Sequence, residues 1–369
     1  MTTIQAQNPF FSAYKTPYDT PPFNKIKNEH YEPAIEKGIA EHQAEINKIV
    51  MIRVVPTFEN TIVPLEESGK LLSRVTSVFF NLLSSESNDE MMEIAQRIQP
   101  KLSEHSNSIT LNEGLFQKVK AVYDKRLESN LTPEQIRLVE KTYRGFENSG
   151  ATLVGKDRDT YKELSTKLSQ LTLDFGQNSL KESNKFEMLL TDEADLAGLP
   201  QMVKDAAAAK AKAKGKEGYI FDLSAPSYIA FMKYSTRRDL RQKLYMAYNT
   251  KCVAGGEFDN QENVKEIAKT RMQIANLLGY PDYATYTLRN KMAKDKEHVY
   301  GLLDNLFSAY AQAAREDVKM VEGFAVGMEG KAIDLQPWDW SFYSEKLKDA
   351  KYSVSDELVR PYFELENVK

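Results

Sequence analysis

The spacing of the apolar residues constrains this chain more than any other feature. From His30 onward they recur at intervals of three and four, the period of an amphipathic helix, while strict alternation over strand length is nearly absent. Helices patterned this way bury their stripes by packing on one another. The expected fold is therefore mainly α and multi-helical, with one small two-stranded β element from the runs 186–191 and 219–223.

Several elements have readable ends. Thr132-Pro133-Glu134-Gln135 is a capping box with proline at the first helical position, and Leu131 is placed to staple onto Ile136. A helix is predicted from near Asp259 to Gly279, ahead of Pro281, with Val264, Ile267, Ala268, Ala275 and Leu278 on one face. Tyr161, Leu164, Leu168, Leu171 and Phe175 form a narrow seam like that of a helical hairpin. The broad apolar face from Leu71 to Leu83 predicts a central helix. A further helix through Ile94, Ile98, Leu102 and Ile109 contains Pro100, which predicts a kink. The first thirty residues, rich in Pro, Phe, Tyr and Asn, predict an extended arm lying along the body. No repeat or Ser/Gly linker interrupts the chain, and the composition shift at 184–224 suggests segments 1–184, 185–224 and 225–369.

Charge and composition exclude whole classes. With 49 basic against 53 acidic side chains, the net charge of -4 lacks the basic excess that binds nucleic-acid phosphates. The Ala/Lys run at 205–215 reads as a solvated helix of strong helix formers. The single cysteine, Cys252, permits neither an intrachain disulfide nor a multi-cysteine zinc site, which favours a reducing compartment. The N-terminal stretch Met1 to Phe10 shows no basic start or apolar core of a secretory signal. The longest weakly charged apolar stretch, Val75 to Ser85, is far shorter than the ~20 residues of a membrane span. A cytoplasmic protein with no membrane or nucleic-acid partner is expected.

Motifs of catalysis are missing. The four histidines, His30, His42, His105 and His298, form no H-E-x-x-H. His105 falls on an apolar stripe and reads as packed. His30 and His42, three turns apart near one helix, cannot share an ion. No G-x-G-x-x-G, P-loop or G-x-S-x-G is present, and the adjacent pairs Glu66-Glu67 and Asp89-Glu90 suit helix ends or solvated faces.

Three stretches point further. Thr57-Phe58-Glu59-Asn60-Thr61-Ile62, Leu277-Leu278-Gly279-Tyr280-Pro281-Asp282-Tyr283-Ala284 and Gln336-Pro337-Trp338-Asp339-Trp340-Ser341-Phe342-Tyr343 together resemble the thimet oligopeptidase family of zinc metallopeptidases, above all its bacterial peptidyl-dipeptidases. Matches at His30-Tyr31, Leu72 to Phe80, Ile136 to Glu140 and Leu358 to Leu365 keep the family's order along the whole chain. The resemblance implies an almost wholly helical fold, a deep channel between two halves, and zinc held by H-E-x-x-H and a downstream Glu. Those ligands belong to the family's C-terminal half, beyond Lys369, so no catalytic or metal residue and no zinc is expected on this chain.

In this reading the 369 residues are the N-terminal half of an enzyme that hydrolyses short peptides, releasing C-terminal dipeptides. Its partners are short peptides and its own missing C-terminal half. Residues 1–184 then supply the arm and the helical lid or channel wall, and 225–369 lead towards the catalytic half. Trp338, Asp339 and Tyr343 are the candidate channel-wall residues, although their spacing also suits core packing and Asp339 a helix cap. Arg237, Arg238 and Arg241 could meet a peptide carboxylate or simply line a solvated face. The alternative is a stand-alone helical protein that binds peptides or docks onto a relative. The apolar Tyr362, Phe363, Leu365 and Val368 near the end of the chain favour an interior break instead.

Overall fold

Patterning of helical period becomes helix almost throughout the computed structural model, which describes residues 8–353 and 356–368. Met1–Gln7 and the side chain of Val368, both used above, lie outside the described residues. In chain order the helices are α1 (Tyr31–Met51), α2 (Val63–Glu66), α3 (Lys70–Ser85), α4 (Asp89–Thr110), α5 (Glu113–Asp124), α6 (Pro133–Asn148), α7 (Gly155–Lys185) and α8 (Gln201–Ala213). They continue as α9 (Ala225–Tyr234), α10 (Arg238–Asn249), α11 (Gln261–Leu277), α12 (Tyr283–Leu288), α13 (Lys296–Glu329), α14 (Pro337–Tyr352), α15 (Asp356–Val359) and α16 (Leu365–Val368). The expected β element is present. Strands β1 (Met188–Leu190) and β2 (Tyr219–Phe221) pair antiparallel with Leu189 opposite Ile220.

The chain forms two compact units, Met1–Gln177 with Asn263–Arg289 and Asn178–Glu262 with Asn290–Lys369. In the first, α1, α3 and α4 enclose a core of Tyr31, Ile35, Val75, Phe79, Ile94 and Ile98. The central helix expected from Leu71 to Leu83 is therefore α3. It approaches α1 closely at Gly38, where an added Cβ would stand 2.9 Å from the Leu72 Cα. A second core joins Ile46, Phe58, Ile62, Leu115, Val119, Val139 and Phe146. Phe58 and Ile62 are seated by a π-helical turn over Phe58–Ile62, closed at its start by reciprocal bonds: Asn60 N donates to Thr57 Oγ1 at 3.3 Å and Thr57 N to Asn60 Oδ1 at 2.9 Å. The capping box of α6 forms as expected, with Thr132 N donating to Gln135 Oε1 at 2.9 Å.

Three sequence expectations need correction. The N-terminal segment is not one extended arm. It folds into short 3-10 turns at Pro9–Phe11 and Pro17–Asp19, and Phe10 is a fully buried core residue beside Tyr31, because the Asn8 side chain caps the first turn and donates to the His30 carbonyl at 2.8 Å. Helix α11 does stop before Gly279 (φ 85°), but Val264 faces outwards. Its inner face runs through Thr270, Ile274 and Ala275, since the Asn263 side chain donates to the Leu171 carbonyl at 3.0 Å and Glu266 meets Lys167 at 2.6 Å, turning that line towards α7. Phe175, counted in the α7 seam, is also exposed: the seam holds at Tyr161 and loosens towards its far end.

The second unit has two smaller cores. The sheet lays Met188, Leu190 and Phe221 against Phe231 of α9 and Leu244 of α10. The Ala/Lys-rich helix α8 buries Ala207 and Ala211, while Lys210 pairs with Asp222 at 2.6 Å. The other core joins Val321 and Ala325 of α13 to Phe342 and Tyr343 of α14.

Candidate functional site

The three candidate residues lie on the first turns of α14, within the second unit. Pro337 stands at the first helical position, and Gln336 N donates to Asp339 Oδ2 at 3.0 Å, so the carboxylate does close the start of the helix. Its larger role lies elsewhere. Asp339 has no solvent exposure, and it accepts from Arg238 Nε at 3.0 Å, from Arg238 Nη2 at 2.6 Å and from Arg241 Nη2 at 2.9 Å. Arg241, 1% exposed, spends its remaining donors on the carbonyls of Ser235 (2.7 Å) and Trp338 (3.2 Å), and its guanidinium lies 4.2 Å from the centre of the Phe342 ring.

Burial alone would raise the Asp339 carboxyl, but the donors from Arg238, the Gln336 amide and Arg241 outweigh it and hold the group below the usual carboxylate range. Tyr343 is also buried. Its hydroxyl donates to Glu329 Oε1 at 2.9 Å, and burial followed by that carboxylate pushes it up to about 12. Neither group is poised to move a proton near neutral pH. Trp338 is half-buried, with its ring edge to face against Tyr245 at 6.1 Å, and Trp340 is 39% exposed. The structure thus brings Asp339 and Tyr343 together inside a network that fastens α14 to α10 and α13, and leaves the tryptophans as its outward part.

A solvated arginine face on α10 is not what forms. Arg238 and Arg241 are engaged by Asp339, because the first turn of α14 delivers that carboxylate to them, and Arg237 is engaged by Asp195 and Asp239. The spacing of Arg238 and Arg241, one turn apart, is the sequence signal for a shared partner. The histidines fall where their pattern placed them, with His105 packed and His30 and His42 apart. His42 pairs with His105 at 3.0 Å, while His30 accepts from Lys27 N at 3.0 Å and His298 contacts its own helix cap, Asp295. Among the described residues no three His, Cys, Asp or Glu side chains converge as metal ligands, and no helix is long and apolar enough to cross a membrane.

Residues 231–369 match peptidase family M3, and residues 35–158 match the neurolysin/thimet oligopeptidase N-terminal domain. The chain belongs to peptidase family M3. It is 35% identical to oligopeptidase A of Escherichia coli over 94% of its own length, and 34% identical to dipeptidyl carboxypeptidase of the same organism over 100%. A probable cytosolic oligopeptidase A of Arabidopsis thaliana is 30% identical over 95%. The matches cover 52%, 54% and 51% of these relatives, so this M3 chain spans about half their length. The Thr57–Ile62 and Trp338–Tyr343 stretches that carried the resemblance are, in this structure, a core-seating turn and a buried ion network.

Proposed function

We propose that this chain is the N-terminal part of a zinc metallopeptidase that hydrolyses short peptides and releases dipeptides from their C-termini. Colinearity carries the reading: the whole chain aligns with a continuous half of a dipeptidyl carboxypeptidase. In this reading the zinc ligands, the Glu that activates water and the groups that steady the tetrahedral intermediate are encoded beyond Lys369, and the 369 residues alone cleave nothing. Among the described residues the histidines lie apart or in the single pair His42–His105, and the metal ligands are proposed to come from the remaining part of the enzyme. Its own contribution is a substrate wall, with Trp338 the most outward of the three candidate residues and Asp339 and Tyr343 holding its helix in place. The setting is cytoplasmic, in keeping with one buried cysteine and no disulfide.

A long uncovered helix supports the same reading. On α13, Tyr300, Leu303, Phe307 and Tyr310 step by three, four and three, yet each is at least half exposed. An apolar stripe of this kind is normally buried, and the remaining part of the enzyme is its proposed cover. Reading the coding DNA past the Lys369 codon tests the proposal. An open frame encoding H-E-x-x-H supports it, whereas an immediate stop codon overturns it in favour of a stand-alone peptide-binding protein.

A further inference from the structure

In the first unit, outside the network on α14, two histidines form a directed chain of hydrogen bonds. Ser68 Oγ donates to the Leu65 carbonyl at 2.7 Å, so its lone pair receives His42 Nε2–H at 3.0 Å. With Nε2 protonated, His42 Nδ1 is the acceptor for His105 Nε2–H at 3.0 Å. One line of donors therefore ties α4 through α1 to the turn that opens α3. That turn is tight: Gly69 has φ 70°, its amide donates to Glu45 Oε2 at 2.7 Å, and an added Cβ would lie 2.8 Å from the His42 ring.

We propose that His42 and His105 form a proton-operated latch, closed when neutral and released in acid, that controls opening of the Ser68–Gly69 turn against α1 and α4. The proton count gives the sign. One added proton can be accommodated, because a single N–H···N bond survives between an imidazolium and an imidazole. A second proton sets two N–H groups head to head at 3.0 Å and breaks the line.

The charged neighbours do not compensate. Glu45, on α1, favours the charged form of His42 but is outweighed by burial, and His105 is opposed by burial and then by His42 itself. Glu67 and Lys70 of the turn pair with each other at the surface, as do Glu104 of α4 and Lys162 of α7, and Glu66 is exposed. Both histidines thus titrate below their ordinary value. The neutral pair stabilises the closed turn above about pH 6.5, and that contribution is lost as pH falls.

Native-state amide exchange of the full 369-residue chain, corrected for the intrinsic rate, tests the latch between pH 7.5 and 5. At the amides of residues 66–72 the opening constant is expected to stay level down to about pH 6.5 and then to rise by up to about tenfold per pH unit for each proton taken up on opening. The double variant H42Q/H105Q should remove that rise. A rise unchanged in the double variant, or no rise in the wild type, overturns the proposal. If the variant does not fold, nitrogen-detected NMR of the wild-type histidines decides. Nε2–H tautomers and midpoints below 6.5 support the latch, and midpoints at or above 6.5 overturn it.

Discussion

Asp339 is the buried carboxylate that ties α14 to α10 in the second unit. Its carboxylate neutralises Arg241, a cation with almost no access to water, and removing one partner of such a pair leaves a buried charge uncompensated. Asp339→Ala is therefore expected to destabilise the unit by about 3–5 kcal/mol, measured by urea unfolding at pH 7. Arg238 is 45% exposed at its side chain and contributes less, so Arg238→Ala should cost a smaller amount. Because the folded carboxyl titrates below its unfolded value, the Asp339 contribution is present above about pH 3.9 and disappears as pH falls through the folded value. The gap between wild type and Asp339→Ala should accordingly narrow at the acid end. A gap that stays constant down to pH 2 would contradict the assignment.

At the scale of elements, the contact between α1 and α3 rests on a missing side chain. Gly38 leaves no room for a Cβ against the backbone of Leu72, and backbone cannot rotate away as a flexible side chain can. Gly38→Ala gains helix propensity by about 1 kcal/mol but forces the two helices apart. A net loss of about 1–3 kcal/mol is expected from overpacking, whereas Gly145→Ala, on α6 with nothing within 4 Å, should be neutral or stabilising. Thermal unfolding of the two variants side by side distinguishes packing from propensity. Periodicity placed α3 at the centre of its bundle and the caps placed α6, since both signals are local. Of the face expected on α11, Ala275 is buried as read but Val264 turns outwards, because polar contacts from Asn263 and Glu266 to α7 set its rotation.

For the molecule as a whole, the uncovered stripe on α13 determines behaviour in solution. Leu303 and Phe307 are 51% and 69% exposed and join none of the four cores. The chain should therefore bind a hydrophobic dye and self-associate as its concentration rises. The pair of substitutions Leu303→Gln and Phe307→Gln should reduce both effects several-fold with little change in unfolding temperature. Fluorescence titration and sedimentation measure the two, and an unchanged dye signal would place the exposed apolar surface elsewhere. An apolar period of three and four is as readable on α13 as on α3. Whether anything covers it cannot be read from the period.

Taken alone, the sequence determined the helical class, the two strand segments, the caps and the motifs of the family likeness, because each of these signals is carried by residues within a few positions of one another. Tertiary structure decided what the charged and titratable residues do. Arg238 and Arg241 became a clamp only because Asp339, about a hundred positions later, is brought to them, and His42 found its partner in His105, 63 positions away on another helix. A buried polar group takes its role from the partner that compensates its lost hydration, and that partner is chosen by packing in three dimensions.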